Sequence, residues 1–406
     1  MKPQHFFCYL AAVAVLFTAC KKSDDNGQPT QPVEKEIFSG YAQKGPFING
    51  SAVTISELKG NLDQTGKTYS TTISDNLGSF EQKNIELISQ YVELKVDGYY
   101  FNEISGKTSG APIALYALTD IKDITSANVN VLTHLEKSRV EYLVKRGTNF
   151  TSAKQQAQKE VLAIFGFEPS ETTSETLDLT ADAKLLAISS ILQGYLSVGD
   201  MMELMANIIT DIKEDGKLDN MVLGSKLINN ANAINISISA IRENLTEKYA
   251  ELGINITVPD FESYVESFIN SGLYQPTSFI TYPATGLYGV NILSDDVTEI
   301  EVPSPGPGVH FTCSMRADVP LGLSLVIILK SEDAEWFYEM MPNAPINWTI
   351  GEYYSNPQHQ KFTVTESGKM SDLNFGVFTT PSNITIEYYE NGDTTPTKTK
   401  LLYFKE

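Results

Sequence analysis

Cysteine, histidine, tryptophan and positive charge are all scarce in this sequence. The 406 residues contain three cysteines, four histidines and two tryptophans, and 30 Lys and Arg residues stand against 50 Asp and Glu residues. The formal net charge is -20, and no basic stretch offsets it. We therefore expect no nucleic-acid partner, because phosphate backbones are bound by clustered Lys and Arg.

Sequence motifs of common catalytic sites are also missing. The chain has no His-Glu-x-x-His, no G-x-S-x-G, no P-loop, no G-x-G-x-x-G and no C-x-x-C. These absences predict no catalytic residues, no metal site and no cofactor. A hydrolase that uses scattered carboxylates stays open as an alternative, since the acidic residues allow many pairs.

The chain begins with a hydrophobic leader that ends at a cysteine. Lys2 precedes an apolar run from Phe6 to Phe17, and the small residues Thr18 and Ala19 stand directly before Cys20. The apolar run is shorter than the stretch of about 20 residues that spans a bilayer. This layout predicts a secretory signal peptide over residues 1–19 rather than a retained transmembrane helix.

The end of the leader resembles a bacterial lipobox, with Phe17 at the position that is usually leucine. The resemblance implies that Cys20 carries a lipid anchor in the outer membrane. The residues after it resemble the surface-export signal of Bacteroidota lipoproteins, which implies that the protein faces the exterior: Lys21, Lys22, Ser23, Asp24, Asp25. Cys313 would then be the one free thiol, and no disulfide is expected within the mature chain.

The remaining chain divides into a tether and three folded parts. Residues 20–36 are polar and predict a flexible tether. Residues 37–120 show short alternating segments between turn residues, which predict a β-sandwich. Residues 121–274 change to a helical period and predict a helical bundle, and residues 275–406 return to β patterns and predict a second sandwich.

Two stretches of the first folded part resemble known groups. Gly40 to Phe47, with the Lys-Gly-Pro-Phe sequence, and then Gly50-Ser51 are similar to the opening of a group of uncharacterised Bacteroidota surface lipoproteins. Thr71-Thr72, followed by Asp75, Gly78 and Phe80, resembles carboxypeptidase regulatory-like sandwiches, which implies an accessory domain without catalytic residues.

In the helical part, three local features predict specific structure. Thr151 and Ser152 are placed to cap a helix that Gly166 ends. The stretch from Asp211 to Asp219 lacks two ligands of a calcium loop and predicts a helix end with a turn. His134 lies at a helix start, where we expect it to form hydrogen bonds across an interface.

Aromatic residues are the remaining candidates for binding. Exposed rings stack on sugars or anchor protein partners. The candidate ligand-binding aromatics lie close together in the last part of the chain: Trp336, Tyr338, Trp348, Tyr353.

The sequence thus favours a lipid-anchored cell-surface binding or adhesion protein without catalytic activity, whose ligand is a glycan or a host protein. Two alternatives remain. One is a structural or assembly subunit of a surface complex that pairs through edge strands, and the other is the hydrolase that uses acidic residues.

Overall fold

A computed structural model describes the chain from residue 31 to residue 405, with gaps. The described residues are 31–169, 171–236, 238–276, 280–281, 290–295, 297–302, 313–319, 323–333, 336–340, 348–355, 358–364, 371–377 and 380–405. Strands lie at both ends of this part and helices lie between them, which confirms the predicted order of β, α and β regions.

The first region contains two larger sheets and a small hairpin. Its strands are β1 (Val33–Gln43), β2 (Ala52–Leu58), β3 (Gln64–Thr72), β4 (Ser79–Leu87), β5 (Tyr91–Gly98), β6 (Phe101–Asn102), β7 (Lys107–Thr108), β8 (Ile113–Asp120) and β9 (Val129–Asn130). The sheet orders are β4-β1-β9 and β3-β2-β5-β8, and β6 pairs with β7. Strand β1 begins at Val33, before the predicted end of the tether at residue 36.

Alternating side chains explain how the second sheet forms a core face. Val53 and Ile55 of β2 lie opposite Val96 and Leu94 of β5, and all four side chains are fully buried. Successive side chains on a strand point to opposite faces, so residues two apart share a face. The burial of these side chains therefore agrees with the alternating pattern predicted for residues 37–120.

The turn before β4 contains Asp75 and Gly78, two of the residues that resemble carboxypeptidase regulatory-like sandwiches. The Asp75 carboxylate accepts hydrogen bonds from the backbone amides of Leu77 (2.9 Å) and Ser79 (3.1 Å). Gly78 has φ of +84°, and a Cβ on it would lie 2.3 Å from the carbonyl oxygen of Ala42. Only glycine fits both the backbone conformation and this close approach, and the strand that follows buries Phe80.

The Lys-Gly-Pro-Phe stretch links the first sheets to the helices. The Ser189 hydroxyl donates to the Lys44 carbonyl oxygen (2.7 Å), and the Gln43 side-chain oxygen accepts a hydrogen bond from the Leu179 amide (2.9 Å). A Cβ on Gly45 would lie 1.9 Å from the carbonyl oxygen of Phe101. The stretch therefore packs tightly between the first sheets and the helices.

The central region contains seven α-helices among the described residues. They are α1 (Val131–Lys145), α2 (Phe150–Ile164), α3 (Ala183–Gln193), α4 (Val198–Ile212), α5 (Met221–Asn235), α6 (Ile238–Glu251) and α7 (Glu262–Asn270), with a short 3-10 helix at Ser174–Thr176. Gly166, with φ of +70°, follows the end of α2 as predicted. The predicted cap was wrong: Asn149 accepts the Ser152 amide (2.8 Å), so α2 begins at Phe150.

The last region again contains two sheets. Its strands are β10 (Ile280–Thr281), β11 (Val290–Asn291), β12 (Glu299–Glu301), β13 (Cys313–Asp318), β14 (Leu325–Ser331), β15 (Trp336–Met340), β16 (Trp348–Ser355), β17 (Gln358–Val364), β18 (Ser371–Val377), β19 (Ser382–Glu390) and β20 (Lys398–Lys405). The orders are β10-β13-β18-β15, with β11 also on β13, and β12-β20-β19-β14-β17-β16. Strand β14 lies between β17 and β19 in the larger of these sheets, and β19 and β20 form an antiparallel hairpin.

The buried hydrophobic residues among those described form two large cores. One runs from Val33 to Tyr274 and joins the first sheets to the helices, across the boundary predicted at residue 120. The other runs from Ile292 to Phe404 within the last region. A smaller cluster, which includes Tyr91 and Phe150, packs the second sheet against α1 and α2. The first sheets and the helices therefore share one core.

Candidate functional site

The residues predicted to anchor and export the protein lie outside the described residues. This applies to Cys20 and to the five residues from Lys21 to Asp25. Their predicted roles remain predictions.

The four candidate aromatics lie on two different strands. Trp336 and Tyr338 are on β15, where they lie opposite Val377 and Phe375 in the register with β18. Trp348 and Tyr353 are on β16, which belongs to the other sheet of this region. Their side chains lie outside the part of the chain that the structure describes.

A cleft between the helices and the last region is a candidate site among the described residues, because it combines apolar side chains with charged and amide groups. It has a volume of about 660 Å³, and we call it the helix–sheet cleft. Helices α4 and α5 supply one wall, with Glu203, Lys226 and Asn229. The turn after β11 and the β19–β20 hairpin supply the other, with Asp295 and Asp393.

The lining of the cleft combines apolar surface with carboxylates and amides. Its apolar part includes Leu196, Leu204 and Val222, and the half-buried ring of Tyr195 adjoins them. The titratable lining consists of five carboxylates and two lysines: Asp200, Glu203, Asp295, Glu390, Asp393, Lys226 and Lys398. Lys398 forms an ion pair with Asp295. The cleft therefore carries net negative charge, which repels anionic ligands.

Hydrogen bonds fix the walls of the cleft. Asn230 is buried and donates to the carbonyl oxygen of Ile191 (3.0 Å), which ties α5 to α3. In the loop between β19 and β20, Asn391 and Gly392 have positive φ, and the backbone amide of Asp393 donates to the carbonyl oxygen of Glu390 (3.0 Å), which closes a tight β-turn. The Asn391 amide donates to the carbonyl oxygen of Ser324 (2.9 Å). Both walls are therefore preorganised, which lowers the entropy lost on binding.

A buried ionic cluster lies inside the helical region, away from this cleft. Lys154 of α2 lies between Glu136 of α1 and Glu175 of the 3-10 helix, with 2.9 Å from its Nζ to Glu136 Oε2 and a direct contact to Glu175 Oε1. The Ser174 hydroxyl donates to Glu136 Oε1. All four side chains are less than one-tenth exposed. We call Glu136, Lys154 and Glu175 the buried triad, and Ser174 is its serine.

The titration of the triad reflects burial and mutual attraction. Burial raises the pKa of Glu136, and the nearby Lys154 only partly opposes this change. Burial acts to lower the pKa of Lys154, but attraction to Glu136 and Glu175 outweighs it, so its pKa lies above the ordinary value. Glu175 Oε2 has no hydrogen-bond partner in the described part of the chain. The triad thus holds one lysine and two carboxyl groups in a buried site.

A cavity of about 330 Å³ opens beside the triad. Glu136, Lys154 and Ser174 line it, together with Gln158 and the loop around Thr173. Gln158 donates to the Ser174 hydroxyl oxygen (3.1 Å). The triad is therefore buried but borders a space that is large enough for water.

A second buried ion pair joins the first sheets to α3. Lys44 donates to Glu103 Oε1 (2.6 Å), which also accepts the Ser189 hydroxyl (2.8 Å), and Lys44 and Glu103 are fully buried. Burial lowers the pKa of Lys44, although Glu103 opposes the change. Tyr100 lies beside the pair, with its ring 5.5 Å from Lys44 Nζ. This lysine belongs to the Lys-Gly-Pro-Phe stretch, so the stretch supplies a buried charge.

His134 lies at the start of α1 as predicted, but its contacts differ from the expectation. Its ring stacks on Tyr116, with 5.7 Å between ring centroids, and its Nδ1 has no hydrogen-bond partner among the described residues. Burial, with a smaller contribution from Lys137, lowers the pKa of His134 to about 4. We assign it a packing role, since it is neutral at neutral pH.

Two other predicted features have structural roles. Asp211 accepts the backbone amides of Asp219 (2.9 Å) and Asn220 (3.1 Å), so the stretch after α4 is a hydrogen-bonded turn, as predicted. Cys313 is buried on β13, and burial raises the pKa of its thiol to about 12. A thiol with this pKa is a poor nucleophile at neutral pH.

Sequence reasoning did not find the cleft or the triad. The cleft brings together Lys226 and Lys398, which are far apart in the chain, and nothing in the local pattern connects them. The triad left a signal that was missed: Glu136 falls on the same helix face as Leu132 and Val140, and Lys154 falls on the same face as Phe150 and Ala157. Charged residues at such positions are rarely buried unless they are paired.

Further comparisons give negative findings. No group of three or more His, Cys, Asp or Glu side chains in the described ranges is arranged to hold a metal ion. No single helix there has the length and apolar character to cross a membrane; only α3 and α4 taken together do, with a bend of 113° between them. The chain matches no protein-family model, no curated protein and no solved structure.

Proposed function

We propose that this chain is a lipid-anchored cell-surface binding protein whose ligand occupies the helix–sheet cleft. The sheets at each end form two sandwiches that carry the helical region between them. The observation that supports the proposal is the cleft itself, because it combines preorganised polar groups with an apolar floor. Ligand sites in proteins typically have this composition.

The lining favours an oligosaccharide as the ligand. Glu203, Asp393 and Asn229 offer carboxylate and amide groups to sugar hydroxyls, and the Tyr195 ring beside Leu196 offers an apolar surface to sugar C–H groups. The negative charge of the cleft disfavours sulfated or phosphorylated sugars. A neutral glycan is therefore the expected ligand class.

A glycan array tests the ligand. We expect the chain from residue 31 onward to bind a subset of neutral glycans, and Glu203→Gln to weaken that binding about tenfold, as for the loss of one hydrogen bond to a charged group. Glu266→Gln is the matched control, because Glu266 is an exposed glutamate outside the cleft. Equal loss in both variants, or binding only to host proteins, would contradict the oligosaccharide proposal.

Protease treatment of intact cells tests the location. We expect added protease to remove the wild-type protein, and alanine replacement of Lys21 to Asp25 to protect it. Cys20→Ala should release the protein from the membrane fraction. Protection of the wild-type protein would place it inside the outer membrane and would contradict surface display.

One observation favours the assembly subunit as a second candidate. Among the described residues, β15 and β16 each pair with only one neighbour and end their sheets, and both are rich in aromatic residues. Such edges can accept a strand from a partner. Crosslinking in whole cells would then capture one defined protein neighbour at this edge, and recovery of monomer alone would reject this candidate.

A further inference from the structure

We propose that the cavity beside the buried triad binds a small neutral polyhydroxy molecule, a monosaccharide or a polyol. We call this space the triad cavity, and its buried wall consists of Glu136, Lys154, Gln158 and Ser174. It shares no lining residue with the helix–sheet cleft, so the proposal does not depend on the ligand proposed for the cleft.

The buried wall carries hydrogen-bonding atoms that lack a partner. Lys154 has three N–H donors, of which one meets Glu136 and one contacts Glu175, and the third has no acceptor among the described residues. The Gln158 amide nitrogen donates to the Ser174 hydroxyl oxygen (3.1 Å) and to a backbone carbonyl oxygen, but its side-chain oxygen accepts no hydrogen bond within the part of the chain that the structure describes. Both Lys154 and Gln158 are five per cent exposed. Polar atoms at such burial are normally paired, so the cavity must supply their partners.

A hydroxyl group fits the two charged side chains of this wall. Lys154 Nζ lies 2.9 Å from Glu136 Oε2, and a carboxylate oxygen can accept more than one hydrogen bond. A hydroxyl group is a donor and an acceptor at one atom, so a single ligand hydroxyl can accept from Lys154 and donate to Glu136. A second hydroxyl can donate to the free oxygen of Gln158. A molecule with several hydroxyl groups therefore satisfies the whole wall.

The charges of the triad disfavour an ionic ligand. Burial acts to lower the pKa of Lys154, but attraction to Glu136 and Glu175 outweighs it, so Lys154 stays an ammonium group and repels a ligand cation. Glu136 and Glu175 in turn repel a ligand anion. A buried ligand charge without a free partner of opposite sign would also lose its hydration. A neutral ligand avoids all three costs.

The size of the triad cavity limits the length of the ligand. Its volume of about 330 Å³ lies near the lower end of the range for ligand sites, which is roughly 300–1,000 Å³. One sugar ring suits this volume better than a long oligosaccharide. At the rim, Gln155 and Lys159 are exposed, and their carbon chains offer apolar surface to the C–H groups of a sugar.

An NMR titration that observes the ligand tests the proposal on the full-length protein. The neutral probes are D-glucose, D-galactose, D-mannose, glycerol and myo-inositol. We expect at least one of them to bind with a Kd of about 1 mM or tighter. The hexuronate and the hexosamine with the stereochemistry of the best neutral sugar should bind at least tenfold more weakly, because each carries a charge. Absence of binding by every neutral probe would mean that the cavity holds water only and would overturn the proposal.

A pair of neighbouring glutamines on α2 locates the bound probe. Gln155 lines the rim of the triad cavity, and Gln155→Trp should weaken binding at least tenfold because the larger ring occupies space at the rim. Gln156→Trp is the matched control, since Gln156 is the next residue on the same helix, is also exposed and does not line the cavity. Equal binding by the two variants would place the probe elsewhere and would overturn the proposal.

Two further variants separate the triad cavity from the cleft. Gln158→Met removes the free side-chain oxygen and should weaken binding of the neutral probe about tenfold, while circular dichroism shows a folded protein. Glu203→Gln, in the cleft, should leave binding of that probe unchanged. If Gln158→Met does not fold, the two glutamine variants at the rim still decide. Loss of binding in Glu203→Gln but not in Gln155→Trp would assign the probe to the cleft and reject the triad cavity.

Discussion

At the scale of residues, buried charges are the positions where a single substitution is most easily predicted to destabilise the fold. Lys44 and Glu103 are fully buried, and the pair connects the first sheets to α3 through Ser189. Removing one partner of a buried pair leaves the other without compensation, whereas replacing both by apolar groups is often tolerated. A single substitution should therefore cost more stability than the double substitution.

We predict that Lys44→Met lowers the free energy of unfolding by about 3–5 kcal/mol, because Glu103 is left buried and unpaired. Denaturant unfolding followed by far-UV circular dichroism measures this change. Lys44→Met combined with Glu103→Leu should recover most of the loss. Equal stability of Lys44→Met and the wild type would show that the pair contributes nothing.

His134 predicts a pH dependence of stability. Burial lowers its pKa to about 4 in the folded chain from 6.5 in an unfolded chain, so the unfolded state binds the proton first as pH falls. Above pH 6.5, His134 is neutral in both states and the free energy of unfolding is at its full value. As pH falls from 6.5 to about 4, protonation of His134 in the unfolded chain lowers the free energy of unfolding by about 3 kcal/mol. His134→Phe keeps the stacking on Tyr116 and should flatten this part of the stability curve. Parallel curves for both proteins would contradict the prediction.

At the scale of elements, hydrophobic periodicity predicted much of the fold. The change from alternating to helical spacing near residue 121 placed the helices, and the return to β patterns near residue 275 placed the strands of the last region. Cap residues were harder to assign. Thr151 and Ser152 suit a cap by type, but Asn149 forms the hydrogen bond, because several nearby polar residues compete and tertiary packing decides among them.

The cap of α1 is also a tertiary contact. Asn130 is fully buried, its side-chain oxygen accepts the amides of Leu132 and Thr133 (both 3.0 Å), and its side-chain nitrogen donates to the Ser174 carbonyl oxygen (2.8 Å). Asn130 therefore positions the segment that carries the serine of the triad.

We predict that Asn130→Ala destabilises the protein by roughly 2–4 kcal/mol, since a cap and a buried hydrogen bond are lost together. Asn149→Ala, at the more exposed cap of α2, should cost about 1 kcal/mol and serves as the matched control. Thermal unfolding measures both. Similar shifts for the two variants would show that the Ser174 contact has no effect.

At the scale of the whole molecule, two separate cores imply two unfolding units. The described helices all belong to the core that runs from Val33 to Tyr274, and both tryptophans lie in the last region. Helical circular dichroism and tryptophan fluorescence therefore report different units. Lys44→Met should shift the first signal and leave the second unchanged.

The cleft could not be predicted from sequence because its two walls belong to different cores. Lys226 and Asn229 stand on α5, while Asp295 and Asp393 follow strands of the last region. No local pattern encodes a surface that forms only when distant segments approach each other. The triad differs, since Glu136 and Lys154 lie on consecutive helices.

This separation of cores yields a test of the cleft. We predict that a chain of residues 31–276 folds with the helical signal of the intact protein, because its core contains no residue of the last region. It should lose glycan binding almost entirely, because the wall with Asp295 and Asp393 is removed. A fragment that is folded and still binds as tightly as the intact chain would place the ligand on the first sheets or the helices alone.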